Sequence, residues 1–495
     1  MRKTLIIGTA LTLALAAGLF FMTHGKPANA NIDPDIDTVI SAADISSSSA
    51  THAPVEGWAE QNYTLTPGDQ GLLLSLLYRA FPEEHENRLT DLHERWTPAY
   101  IAPALELFNF VPHPDTREVI IDRLTATTGQ DFGSDTNAWY RWLWNQPELK
   151  VAGYDNFKAE FYREIDPKFE TYFRDRAATA RIRLDEIRWG GVLQDGIPPL
   201  RNPEMIAASD ADYLDDDNII FGIEVNGEPR AYPKRILAWH EMFLDTVGGE
   251  PVAGVYCTLC GTVILYETHY EGTPHGLGTS GFLYRSNKLM YDQETQSLWN
   301  TIKGEPVLGP LVGQNIALNH QSVVTTTWGE WKRRHPTTQV LSLNTGHQRD
   351  YGEGVAYHQY FATDDLMFNT PYNDIRLKNK DEVLALRFKK YPREQLAISA
   401  DFLAQNPLYK DKVGEQSVLV LTDNTGGNRV YDPQNIDFRT YDPDSDHLID
   451  ARGQKWTLSE SQLVSESGDI LKRLPYHRAF WFGWHATYPN SRLVK

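Results

Sequence analysis

The sequence predicts an α+β protein: an N-terminal α-helical domain followed by two related, mainly β units produced by internal duplication. Three observations predict this. Helical periodicity dominates residues 66–145. β-branched and aromatic runs punctuated by turn residues dominate the later chain. A series of motifs from one stretch also recurs, in order, about 150 to 166 residues further on.

Taken in order, Arg2 and Lys3 precede a mostly apolar run from Leu5 to Met22, and Ala28-Asn29-Ala30 follows. This is the charged, apolar and small-residue succession of a secretory signal peptide, expected over residues 1–30. The apolar run is long for a signal, so the same segment left uncleaved would be a membrane anchor. Either outcome makes the chain exported, periplasmic or secreted. Residues 31–60, with the Ser46–Ser49 run, read as a flexible linker. Residues 61–150 form a helical, repeat-like domain with amphipathic segments at Leu72–Tyr78, Tyr100–Phe110 and Glu118–Ala126. Pro114-Asp-Thr-Arg-Glu-Val-Ile-Ile, followed by Thr128-Gly-Gln-Asp-Phe-Gly and a Trp-rich helix, resembles bacterial HEAT-like repeats. That resemblance implies a scaffold able to dock an envelope partner. A helical link over 151–204 leads to β unit 1 at 205–345. A linker at 346–374 and a degenerate β unit 2 at 375–495 complete the chain.

Composition narrows the function classes. The net charge of −19 argues against nucleic acid as a partner. No run after the N-terminal segment approaches the ~18 apolar residues of a membrane helix, so a membrane is a partner only if that segment is uncleaved. Two cysteines in 495 residues cannot form a disulfide framework. Phosphate-binding glycine loops, nucleophile elbows and the His-Glu-x-x-His metalloprotease motif are missing: His240-Glu241 is followed by Met-Phe-Leu.

The repeat locates candidate chemistry. Arg230-Ala-Tyr232-Pro233 with Leu237-Ala238 returns as Lys389-Lys-Tyr391-Pro392 with Leu396-Ala397, and Asp245-Thr-Val-Gly248 returns as Asp411-Lys-Val-Gly414. Tyr291-Asp292 returns as Tyr441-Asp442, and Trp328-Gly-Glu-Trp331 as Trp481-Phe-Gly-Trp484. His240-Glu241 instead falls opposite Ser399-Ala400, and Cys257-Thr-Leu-Cys260 opposite residues near Thr422–Thr425. Shared positions read as scaffold, and positions private to unit 1 read as function. Val252–Tyr256 and Thr262–Tyr266 are strand-like runs, so the Cys-x-x-Cys-Gly turn between them has the form of a metal-binding knuckle. Cys257, Cys260 and His240 are the primary metal ligands on this reading, with Glu241, His269, His275 and Met290 as further candidates. Two thiolates with imidazole suit copper or zinc. The alternatives are a cell-envelope thiol–disulfide oxidoreductase, and a non-catalytic envelope scaffold with an inert local disulfide.

Several motifs carry a family resemblance. Asp195-Gly-Ile-Pro-Pro, Trp239-His-Glu, Tyr256-Cys-Thr-Leu-Cys-Gly-Thr, Ser280-Gly-Phe-Leu-Tyr and Leu289-Met-Tyr-Asp-Gln-Glu-Thr-Gln-Ser-Leu-Trp299 resemble the prokaryotic family named domain of unknown function 3179, over about residues 185–495. The resemblance implies export and no established activity. Thr258 stands where the common form of the motif has Pro.

Overall fold

The computed structural model describes residues 61–495, so the signal-peptide and flexible-linker expectations lie outside the described residues. The architecture is α+β, and the chain divides after Tyr154 into two compact units. Among the described residues no helix is long and apolar enough to cross a membrane.

The first unit is helical, as expected: α1 (Pro67–Ser75), α2 (Pro82–Arg95), α3 (Ile101–Leu107), α4 (Pro114–Thr128) and α5 (Thr136–Trp144). Its boundaries follow local chemistry. Thr66 and Asp69 form a reciprocal capping box at α1, Pro opens the first turns of α1, α2 and α4, and Gly129 ends α4 at φ 70°. Trp139, Tyr140 and Leu143 of α5 are buried.

In the second unit the expected helical link is helical only in its first part. A helix at Tyr154–Arg163 and short turns to Phe173 give way to short strands at Ile187–Trp189 and Leu200–Arg201. There follow β1 (Met205–Ala207), β2 (Ile219–Val225), β3 (Glu228–Pro233), α6 (Lys234–His240), β4 (Met242–Val247), β5 (Glu250–Cys257), β6 (Thr262–Glu267), β7 (Leu277–Tyr284) and β8 (Asn287–Asp292). Next come β9 (Val324–Thr327), α7 (Trp328–Arg334), β10 (Gln339–Leu341) and α8 (His358–Ala362). The last part holds β11 (Glu382–Arg387), β12 (Gln395–Ser399), α9 (Ala400–Gln405), β13 (Leu408–Val413), β14 (Gln416–Thr422) and β15 (Asn428–Tyr431). A five-stranded meander between residues 438 and 472 precedes β16 (His477–Phe480), α10 (Trp481–Thr487) and β17 (Arg492–Val494).

One sheet runs β9-β2-β3-β10-β1, and another runs β17-β12-β11-β16-β6-β5-β4. The two expected β segments therefore share a sheet, with Val263 of β6 opposite Arg478 of β16. Within them the sets β9-β2-β3-β10 and β16-β11-β12-β17 have the same order and sense: two antiparallel pairs, then a parallel one. Register agrees as well. Gly222 faces Ala231 and Val324, while Ala385 faces Ala397 and His477; Val340 then pairs with Ala231 as Leu493 does with Ala397.

Small residues at these positions make room for a tryptophan. A Cβ on Gly222 would lie 2.4 Å from the Trp331 ring. Trp331 donates its indole N–H to the Thr338 hydroxyl at 2.9 Å, and Trp484 donates to that of Ser491 at 2.8 Å. The expected match of Tyr232 with Tyr391 does not hold. Tyr232 pairs with Phe221 inside β3, whereas Tyr391 lies in the loop before β12; by register Ile398 holds the place of Tyr232. Tyr-Pro is a common start to a turn or strand, and that recurrence misled the sequence reading.

Candidate functional site

The site is assembled where β5 turns into β6. Cys257 and Thr262 are opposed in the ladder, so Thr258 to Gly261 form the turn. Gly261 has φ 57°, and a Cβ there would meet the Phe480 ring at 2.7 Å, so only glycine fits both the backbone and the space. The two Sγ atoms are paired as a disulfide. Cys257, Leu259 and Cys260 are buried with Leu283, Tyr360, Phe480 and Phe482, so the sulfurs lie among aromatic and aliphatic groups.

Two further segments hold the turn. The backbone N–H of Phe480 donates to Cys260 O at 2.8 Å, and Gly483 comes so close that an added Cβ would touch Cys260 Cβ at 2.7 Å. Inside the stretch read as a linker, α8 and the residue that precedes it pack Tyr357, Tyr360 and Phe361 against the cysteine cluster. Tyr360 donates its hydroxyl to Leu259 O at 2.6 Å.

The most informative neighbour is Glu241. It ends α6 in the left-handed conformation, φ 54°, at a position where glycine is the default. A non-glycine residue there costs about 1–2 kcal/mol. Its side chain is held by three partners. Thr258, inside the Cys-x-x-Cys turn, donates its hydroxyl to the carboxylate; Tyr357 donates at 3.3 Å; and the Lys288 ammonium lies 3.4 Å away. Lys288 also donates to the carbonyl oxygens of Glu241 (2.8 Å) and Tyr256 (3.3 Å). Burial pushes the Lys288 amine below its usual range, and the Glu241 charge opposes that shift. The hydroxyl of Thr258 is what joins the turn to this buried pair.

The other sequence candidates go elsewhere. His240 is buried with both ring nitrogens engaged: Nδ1 is 2.9 Å from Pro198 O and Nε2 is 2.6 Å from the Tyr351 hydroxyl. The first contact requires Nδ1–H, so Nε2 accepts from Tyr351 and its lone pair is taken. Burial chiefly, with the neighbouring His347 and Arg349 and against the Pro198 carbonyl, lowers the His240 pKa to about 4. His269 is exposed on a short hairpin opposite Pro274. His275 faces Asp292 at 3.4 Å and packs edge-on against Trp299. Met290 is fully buried beside Met242 and Trp299 in a hydrophobic core. Among the described residues no His, Asp or Glu joins the two sulfurs in a three-ligand cluster. The structure thus brings together Cys257, Cys260 and Glu241 of the expected set. Lys288, Tyr357 and Tyr360 were missed; the one available signal for Lys288 was a lysine inside the strand-like run at 287–292.

The family model for "Protein of unknown function (DUF3179)" matches residues 194–491, which include every element of this site. The chain belongs to the DUF3179 family. The helical unit lies outside the DUF3179 match, so the HEAT-like resemblance has no counterpart in it. Against curated proteins and solved structures there is no match.

Proposed function

We propose that this DUF3179 protein is a thiol–disulfide exchange protein of the cell envelope, with Cys257 and Cys260 as its redox couple. The observation that carries the reading is the pairing of the chain's two cysteines at disulfide distance, in a turn hydrogen-bonded to a buried carboxylate–ammonium pair. A disulfide spanning so short a loop contributes little stability through chain entropy, which leaves reactivity as its use.

The exchange balances without a further cofactor. A thiolate from a partner dithiol attacks one sulfur, forms a mixed disulfide and expels the other cysteine as thiolate. The partner's second thiol then attacks the mixed disulfide. The protein gains two electrons and two protons, and the partner becomes a disulfide. Glu241, through the Thr258 hydroxyl, is placed to pass a proton to and from the turn. Lys288, through its bonds to the Glu241 and Tyr256 carbonyl oxygens, fixes the strand that leads into the turn beside the Glu241 carboxylate. Both sulfurs are buried, so exchange runs through displacement of the α8 segment that covers them.

Stoichiometric oxidation of a fluorogenic dithiol peptide, one equivalent per molecule of oxidised protein, tests this. Oxidation of the peptide that is lost in Cys257→Ser and Cys260→Ser supports the reading. Absence of oxidation, together with stoichiometric Cu(I) uptake by the reduced wild type, would move the site to metal handling.

The two β segments are read as copies of one module. Support comes from the matching strand sense and register and from the paired tryptophan–hydroxyl contacts. In the second copy the place of Cys257 falls, by register, to Asp423. Its carboxylate accepts from Gly427 N and pairs with Arg429 at 2.8 Å. One copy then keeps chemistry in its turn and the other keeps an ion pair.

A further inference from the structure

The helical unit carries a second constellation that neither the family match nor the cysteine site explains. We infer that His85, His113 and Asp115 form a binding site for a borderline divalent cation of the Zn(II) class, between α2 and the start of α4. One ligand atom from each of the three lies within 4.8 Å of the others, and this is the one such grouping among the described residues.

Each member is placed by its own element. His85 is in the first turn of α2, where its backbone N–H donates to Phe81 O. Its Nε2 lies 2.8 Å from Asp115 Oδ2. His113 immediately precedes α4, and its ring centroid is 4.1 Å from that of His85. Asp115 is oriented by its other oxygen, which accepts the Thr116 N–H at 2.9 Å.

Two observations point to a ligand rather than to packing alone. His113 Nε2 is buried with no hydrogen-bond partner, a state that a metal ion would relieve. His113 also occupies the N-cap position of α4 without making a cap hydrogen bond, where Ser, Thr, Asp or Asn would stabilise the helix by about 1 kcal/mol. The side chain at that position is turned to another purpose.

Donor chemistry sets the ion. Two imidazoles and one carboxylate are the set that Zn(II) and its neighbours take with three protein ligands and an open position. Bond lengths near 2.0 Å in a tetrahedron separate ligand atoms by about 3.3 Å, so the His85–Asp115 contact needs to open by only a few tenths of an ångström. The Asp115 side chain is 53% exposed against 13% for His85, so the carboxylate side faces solvent and leaves room for a water ligand. Arg88 is engaged by Glu84 and by the carbonyl oxygens of Ser75 and Tyr78, which turns its charge away.

The test is a Zn(II) titration of the full chain against a chromophoric chelator, without thiol reductant so that Cys257 and Cys260 stay oxidised. One equivalent is expected to bind, and Asp115→Asn and His113→Gln are each expected to weaken it by about 100-fold. Asp115→Asn alters an exposed carboxylate, so circular dichroism should show its helices intact. Binding should survive in the Cys257→Ser/Cys260→Ser double variant. A wild type that takes up no zinc, binding unchanged in both ligand variants, or binding that requires reduced cysteines would each overturn the site.

Discussion

Lys288 holds its ammonium 3.4 Å from the carboxylate of Glu241, and each side chain is 6% exposed. Neither charge has water to turn to, so each depends on the other and on the hydrogen bonds around it. Removing one partner, by Glu241→Gln or Lys288→Met, should cost about 3–5 kcal/mol in urea unfolding. The double substitution should cost clearly less than the two singles added. Strictly additive losses would mean the pair is not coupled.

Thr258 links this pair to the cysteines. Thr258→Val keeps the shape and deletes the donor, and it should slow dithiol exchange by about tenfold or more. Thr258→Ser should restore most of the rate. If Val and Ser behave alike, the hydroxyl has no part in proton transfer.

The α8 segment controls access. Tyr360→Phe removes the hydrogen bond to Leu259 O, worth about 1 kcal/mol, and should make reduction by dithiothreitol roughly fivefold faster. Rates of thiol labelling after timed reduction give the comparison. An unchanged rate would show that opening does not run through this contact.

Stability should fall on mild acidification. His240 has its pKa lowered to about 4 from an ordinary 6.5, chiefly by burial, and burial also holds His320 and His477 well below the usual range. The unfolded chain therefore binds more protons than the folded one between these values. Stability is fully present above about pH 6.5 and is lost as pH falls towards 4, by roughly 3 kcal/mol for His240 alone. Unfolding midpoints in urea at pH 7 and pH 5 measure it, and His240→Asn should reduce the difference, leaving the share of His320 and His477. A midpoint that rises at pH 5 would contradict the assignment.

How far the sequence could be read depended on whether a feature was local. The Cys-x-x-Cys turn was legible because strand-forming runs flank it on both sides, and Gly261 marked the turn itself. Trp331 and Trp484 were legible because their helices follow strands of equal register, so spacing was kept. Glu241 was noted only beside His240, since its left-handed backbone and its contact with Thr258 are set by folding. Lys288 left only the signal of a lysine inside a strand-like run, which gains meaning once folding sets it beside the Glu241 carboxylate. The segment at 346–374 has no hydrophobic period, so it read as a linker although its aromatic residues cover the sulfurs. His240 drew notice as a ligand because it is private to the first β unit, whereas the helix turns its ring towards Pro198 and Tyr351.

The central claim is that Cys257 and Cys260 exchange electrons in the folded protein. Equilibration in glutathione redox buffers, followed by acid quench, alkylation and intact mass, measures this directly. The account predicts a two-electron transition from no alkylated thiols to two, at a potential between about −120 and −230 mV. It also predicts that the far-ultraviolet circular dichroism stays unchanged across the transition. A pair that stays oxidised below about −300 mV, or opens only when the protein unfolds, would make the disulfide structural and contradict the account.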